Sequence, residues 1–467
     1  MINRQFKKYI LLISLIVILI ATLYPFYFIT DERLSLSEII DRFYLNSHLK
    51  DYIRNILLFI PWGISLAASI NHRKYSAWRI IAVNSIVSAI LSSNIELAQI
   101  LLPSRNSCLT DILFNSLGGT LGASLYCYHS QLFILFKAII TNNYRRVNLK
   151  FVLSVIVSYC SIVAAAVWLL VANVSLDNWD DDHYLAIGSE VNGKIGWDGY
   201  ITSLYISDRD LDSTEVERAF SDRTFLTQQS SSIASFNFTR EQQVYRDSNS
   251  QLPELVWHYK SSFLNSPSKI DRYRSNNRTD DKLGIKFGRK TYLKTRKPAS
   301  LLSKRIEQSD RFTISTTVAA ERFDKVGPAR IISFASNQFF HNFIIGQEGR
   351  DLVLLLRTTI MGTSASKPTF IVPNVFSDRA YHQILITYAH RELNFYIDNL
   401  DNKYTYKFLP ATSIPLYLPW YLDSWEIDLA EINIAASRAT FYGIVLLPLA
   451  ILIRASILCW NRDRHKS

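Results

Sequence analysis

The chain has 467 residues and a formal net charge of +11, with 48% hydrophobic residues and four cysteines. A basic excess in a soluble protein would point to nucleic acid. Here it sits beside apolar runs, as Arg4, Lys7 and Lys8, then Arg73, Lys74 and Arg79, then Arg145, Arg146 and Lys150, and finally Arg462, Arg464 and Lys466. That placement argues for membrane orientation and against nucleic acid. Cys108, Cys127, Cys160 and Cys459 all lie in or beside apolar runs, so the polar stretch 172–439 has no disulfide, and no Cys/His spacing suggests a metal site.

A span needs roughly 20 mostly apolar residues. Taken in chain order, Tyr9–Ile29 meets that and reads as an uncleaved anchor, since no small-residue cleavage site follows it. Spans follow over about Asn55–Ile70, Ile80–Leu102, Cys108–Tyr128, Phe151–Val171 and Thr440–Trp460, giving about six in all. Leu132–Ile140 is apolar but short and interrupted by Lys137; it is expected to lie in the interface as a separate helix. The basic clusters then place both termini, 71–79 and 141–150 on the cytoplasmic side, and 172–439 on the far side.

The large polar segment reads as strands. Alternation marks Thr313–Ala319, Arg330–Phe334 and His382–Tyr388, with turn signals at Gly327-Pro328, Glu348-Gly349 and Asp398-Asn399. No long amphipathic helix interrupts them. The fold class expected is therefore a polytopic α-helical membrane bundle plus an all-β jelly-roll sandwich. The domains would be 1–128, a four-helix membrane domain; 129–171, the interfacial segment, basic linker and fifth span; 172–439, the extracytoplasmic sandwich; and 440–467, the last span and basic tail.

Polar side chains inside a bilayer are costly and call for a reason. Glu96 and Gln99 share a face of the third span, and Asp111, Asn115, Gly118 and Gly122 form one stripe on the fourth. Glycines there, Gly119 included, let a neighbouring helix approach closely. The turn carrying Arg105 joins the two spans, and Asp51 and Asn55 open the second. Asp51, Asn55, Glu96, Gln99, Arg105, Asp111 and Asn115 are thus expected to meet near the outer leaflet. Two readings stay open: polar glue that locks the bundle, or a pocket for a lipid headgroup or phosphate. Glu96, Arg105 and Asp111 are the only catalytic candidates, and neither Ser104 nor Ser107 has a His nearby to act as its base.

These residues carry a resemblance. The run Asp51-Tyr-Ile-Arg-Asn55-Ile-Leu-Leu-Phe-Ile-Pro61-Trp-Gly63, then Glu96-Leu-Ala-Gln99 with Arg105, then Asp111-Ile-Leu-Phe-Asn115-Ser-Leu-Gly118-Gly119 with Gly122, resembles the motif series of the VanZ-like membrane proteins over about residues 9–128. The resemblance implies a bacterial cell-envelope protein of the inner membrane. The family's namesake is linked to low-level resistance to the glycopeptide teicoplanin, without an established reaction.

Residues of about 232–436 resemble the laminin-G-like, concanavalin-A-like sandwich. The resemblance rests on Ala234–Phe238, Gly284–Gly288 with Thr291, Phe312–Ser315, the pair Tyr381–Tyr388 and Leu393–Asn399, and Ile427–Ile434. Asn399 stands where that family has Gly, in a left-handed position that Asn tolerates. Gly193–Ser207 resembles the closing hairpin again, so 172–222 supplies either an extra strand pair, packed with one sandwich, or a partial second module. The resemblance implies glycan or protein binding. Hydrolysis would need a carboxylate pair such as Glu426 and Asp428, or Asp180 and Asp182, and neither has a longer acidic motif beside it. Asp180-Asp181-Asp182 reads as a solvated loop, with calcium the lesser alternative; no cofactor is expected. Trp179, Trp197, Trp257, Trp420 and Trp425 are core or sugar-stacking candidates. The partners expected are membrane lipid, envelope glycan and a lipid-linked precursor. The leading expectation is a non-enzymatic membrane protein; the alternative is an enzyme acting on a lipid-linked phosphate or glycan.

Overall fold

A computed structural model describes the chain except residues 1–3, 25, 27–42, 45–48, 71–73, 103–106, 173, 223, 260–283, 289–290, 324–327, 338–339, 360–367, 418–425 and 465–467. The chain divides into two compact units, residues 1–165 with 442–467, and residues 166–441.

The first unit is helical: α1 (Arg4–Leu23), α2 (Leu49–Ser69), α3 (Ala77–Gln99), α4 (Leu109–Thr141), most of α5 (Leu149–Ala172) and most of α9 (Ile434–Arg464). Five of these are long and apolar enough to cross a membrane; the apolar part of α1, Lys8–Leu23, is shorter. The rest of the first apolar run lies outside the described residues, apart from Tyr24 and Phe26. Many of the large apolar side chains point outward, among them Ile86, Leu113, Val157 and Trp168. Such faces suit hydrocarbon rather than water.

The separate interfacial helix expected at Leu132–Ile140 does not form. Those residues continue α4, which runs unbroken for 33 residues, about 50 Å at 1.5 Å per residue. No proline or glycine interrupts the run after Gly122, so nothing stops propagation until Asn142, which takes a left-handed conformation at φ 50°. The far end of α4 builds its own core, in which Leu135 and Ala138 meet Val152 of α5 and Leu452, Ala455 and Cys459 of α9. Arg462 closes it by donating to the carbonyls of Tyr144 and Val147, the latter at 2.8 Å.

The second unit is two sheets. One has the order β17-β16-β15-β10-β4-β5, with β8 (Ile285–Phe287) paired to β4. Its strands are β4 (Gly199–Ser207), β5 (Ser232–Asn237), β10 (Phe312–Ala320), β15 (His382–Ala389), β16 (Glu392–Ile397) and β17 (Lys403–Lys407). The other runs β18-β14-β13-β12-β11-β3-β9-β7-β6. It contains β3 (Tyr184–Ile187), β6 (Val244–Tyr245), β7 (Leu255–Tyr259), β9 (Thr291–Thr295), β11 (Ala329–Ala335), β12 (His341–Glu348), β13 (Asp351–Leu356), β14 (Thr369–Val372) and β18 (Glu426–Asp428). Aromatic rings join the two sheets: Trp179 lies 6.2 Å from Phe312 and 6.0 Å from Phe334, and Phe370 lies 5.0 Å from Tyr406.

Residues 172–222 belong to the two sheets as a strand pair, one of the arrangements expected of them. They supply β3 to one sheet, between β11 and β9, and β4 to the other, between β10 and β5. β4 thus fills an interior position, with Tyr200, Ile201, Leu204, Tyr205 and Ile206 buried. Among the described residues three short helices also form, α6 (Ser213–Ser221), α7 (Ser300–Ser309) and α8 (Pro410–Tyr417). Asp212 and Glu215 make a capping box at the start of α6, each side chain binding the other's backbone amide. In the β15–β16 turn, His390 and Arg391 take φ values of 50° and 64°, matching the twist a two-residue hairpin needs. The left-handed residue after β16 is Asp398, at φ 65°, rather than Asn399.

Candidate functional site

The site grows from a spacing in α3. Asn84, Ser88, Ser92 and Glu96 fall four residues apart on one face of an otherwise apolar helix, and each is at most 2% exposed. That face meets α4 antiparallel. Asn115 donates through Nδ2 to Ser92 Oγ at 2.8 Å. One turn along, Gly119 packs so closely on Ser88 that a Cβ there would lie 2.0 Å from Ser88 Oγ. Carrying the register one turn the other way sets Glu96 opposite Asp111, whose charge acts on it.

Glycines make this approach possible. A Cβ at Gly118 would lie 2.4 Å from the Ile56 carbonyl oxygen, one at Gly122 2.2 Å from that of Ile60, and one at Gly63 2.1 Å from that of Gly119. Gly118 and Gly122 therefore face α2, while Asn115 and Gly119 face α3. The stripe expected on α4 is divided between two neighbours, because consecutive glycines 118 and 119 point 100° apart on a helix.

Near Glu96 the backbone completes the site. The Cys108 amide donates to Glu96 Oε2 at 2.8 Å, and Ser107 Oγ donates to the Glu96 carbonyl at 2.8 Å. Both donors belong to β2 (Ser107–Cys108), which pairs in parallel with β1 (Phe43–Tyr44). Gln99 turns instead to α1, donating to the Thr22 carbonyl at 2.9 Å. Tyr52 of α2 stacks on Phe114 of α4, with centroids 4.1 Å apart.

The structure thus brings together Glu96, Asp111 and Asn115, and leaves Gln99 at the α1 contact. Asp51 opens α2, but its side chain lies outside the described residues, as does Arg105. Sequence reasoning missed Asn84, Ser88, Ser92 and Thr22, and quoted Gly63 without its packing role. A polar residue at every fourth position of an apolar helix was the available signal for the first three.

The seam is short of partners. Asn84 Oδ1, Ser88 Oγ, Gln99 Oε1, Asn115 Oδ1 and Asn55 Nδ2 are buried without a hydrogen bond. Three of these five atoms are amide oxygens, which only accept. A bound polar group that donates hydrogen bonds would satisfy them.

The family comparison falls on this bundle. Residues 6–136 match the VanZ/LLP1 family model. This part of the chain is VanZ-like, and the matched stretch holds α1 to α3 and most of α4, seam included. No curated protein matches the chain, and no solved structure does.

Elsewhere, Trp179 and Trp197 are core residues, 4% and 1% exposed, whereas Trp257 is half-buried. Trp420 and Trp425 lie outside the described residues. Asp180, Asp182 and His183 bring three potential ligand atoms within 4.8 Å of one another. The Asp180 carboxylate is taken by the Arg357 guanidinium, with Nη2 3.3 Å from Oδ1, and Lys304 lies 3.5 Å from Asp181. Burial holds the His183 imidazole below the usual histidine range. Glu426 and Asp428 sit on β18 at the sheet edge, where Asp428 accepts from the Ala430 amide at 2.9 Å.

Proposed function

We propose that this VanZ-like chain is a non-enzymatic protein of the bacterial inner membrane, with both termini cytoplasmic and residues 172–439 outside. The α3–α4 seam engages the polar head of a lipid-linked envelope component, and the sheet region, of laminin-G-like or concanavalin-A-like type, binds envelope glycan or protein. The observation that carries the first part is the pair of buried, unpartnered amide oxygens of Asn84 and Asn115 together with the Glu96 carboxylate along the α3–α4 seam. Groups of that kind are retained in membranes mainly where a polar ligand or ion passes or binds. The basic clusters beside the helices support the orientation. Altered susceptibility to glycopeptides such as teicoplanin follows as the expected cellular effect, and no cofactor enters this reading.

The test uses the full chain in lipid nanodiscs. Binding of a lipid-linked disaccharide precursor is measured for wild type, E96Q, D111N and N115A. Loss in the variants at unchanged folding and membrane abundance supports the reading; wild-type indifference to the precursor rejects it. A second reading, an enzyme acting on the same lipid-linked phosphate or glycan, draws on the facing carboxylates Glu96 and Asp111, which could divide acid and base roles. Turnover of the precursor by wild type, absent in E96Q and D111N, would select it.

A further inference from the structure

The sheet region holds a buried polar site that the seam does not explain. After β3 the chain turns through Glu190 to Gly193. The turn is closed by the Gly193 amide on the Glu190 carbonyl at 2.9 Å and the Glu190 amide on the Ile195 carbonyl at 3.2 Å. It is tied to β11, since the Gly188 amide donates to the Ile331 carbonyl at 2.8 Å and Gly196 bridges to Arg330. Nearby, Trp197 Nε1 donates to Gln347 Oε1 at 2.7 Å and anchors the next residues. Glu190 is thereby fixed beside the start of β11.

Glu190 is 2% exposed and Arg330 8%. Neither carboxylate oxygen of Glu190 has a hydrogen bond, and neither do Nε and Nη1 of Arg330. The Lys194 amide approaches the carboxylate without reaching hydrogen-bond geometry. The two charges act on each other, yet among the described residues no ion pair within 4.0 Å joins them. A buried carboxylate and a buried guanidinium are each expensive when unmated, and closing the pair is the usual remedy. Two buried, unpartnered charged groups beside one another leave hydrogen-bonding capacity that a bound polar group would complete.

The chemistry of these two groups narrows the occupant. Ionised Glu190 only accepts hydrogen bonds, and Arg330 only donates them. A small anion would suit Arg330 but meet Glu190; a metal ion or an amine would suit Glu190 but meet Arg330. Adjacent hydroxyls on a neutral sugar ring donate to one and accept from the other. Tyr292 adds an aromatic wall: its hydroxyl donates to the Val191 carbonyl at 2.9 Å, which holds the ring against the same turn. Lys194 is exposed and Ile195 is 39% exposed, so the turn over the site faces outward.

We propose that Glu190 and Arg330 form a subsite for the vicinal hydroxyls of a neutral sugar. The proposal rests on the reading that the sheet region binds glycan, and gives that reading a place and a ligand class. The test takes full-length wild type, E190Q and R330M in nanodiscs over an array of neutral and acidic glycans, and melts each protein without ligand. Wild type should hold a neutral glycan, and each variant should bind it at least about tenfold more weakly, the worth of a hydrogen bond to a charged group. Without ligand, the double variant E190Q/R330M, melted alongside, should melt at or above the wild-type temperature, because it removes both buried charges and strands neither. Equal glycan binding by the variants overturns the subsite while the glycan reading stands. Melting several degrees lower with unchanged binding makes the pair structural and overturns it likewise. No binding by wild type to any glycan overturns both.

Discussion

The close approach at Gly119 gives a sharp prediction. In G119A the new methyl would lie 2.0 Å from Ser88 Oγ and 2.8 Å from Ser88 Cβ. Ordinary carbon–oxygen contact is near 3.3 Å, so α3 must retreat by roughly 1 Å or Ser88 must leave its position. Retreat by that amount stretches the 2.8 Å Asn115–Ser92 bond past 3.5 Å. Overpacking of this kind costs about 1–3 kcal/mol, and the lost hydrogen bond adds about 1 kcal/mol. The assay is thermal unfolding of detergent-solubilised protein. G443A is the internal control, because nothing lies within 4 Å of a Cβ at Gly443, and alanine there should be neutral or slightly stabilising. Adding S88G to G119A removes both clashing atoms and should recover most of the loss. The reasoning is refuted if G119A melts with G443A, or if S88G fails to rescue it.

Three further outcomes follow from other parts of the chain. Arg357 has a 4% exposed side chain against a 45% exposed Asp180; D180N should destabilise toward the low end of the ~3–5 kcal/mol cost of breaking a buried pair, and an unchanged denaturant midpoint would contradict that. His382 donates through Nδ1 to Asp398 Oδ2 (2.8 Å) and lies 3.3 Å from Asp378 Oδ1, and the Asp398 bond, outweighing burial, raises its pKa above 6.5. The group therefore stabilises the fold fully below pH 6.5 and loses that contribution as pH rises through the raised value; the melting gap between wild type and H382Q should shrink across that interval, and a gap that widens would contradict it. For topology, a membrane-impermeant thiol reagent applied to intact cells should label E241C, on the exposed face of the sheet region, and spare R146C; the opposite pattern would reverse the orientation.

Periodicity made the helical half legible. Long apolar runs predict spans because a bilayer leaves backbone groups no partner except their own helix. Where the reading failed, at Leu132–Ile140, Lys137 and the shortness of the run suggested a separate element, whereas helix boundaries depend on caps, and none occurs before Asn142. Strand alternation found β10, β11 and β15 but could not place β3 and β4 in two different sheets, since partner choice is set by packing between distant segments. In the seam, Glu96, Asp111 and Asn115 stood out by charge or amide character. Ser88 and Ser92 did not, because serine is common in membrane helices, and only the facing glycine and amide give them meaning. Glu190 and Arg330 were invisible for another reason: nothing in a sequence separates a buried, unmated charge from a solvated one.

The length of α4 has a mechanical consequence. One stiff rod carries Asp111, Asn115 and Gly119 near its start and Leu135 and Ala138 at its finish, where it grips α5 and α9. Those two helices are the routes by which the polypeptide leaves the bundle for the sheets and returns. A tilt imposed where α4 meets Glu96 would be carried along the same helix to the Leu135 and Ala138 core, with no loop between the two places.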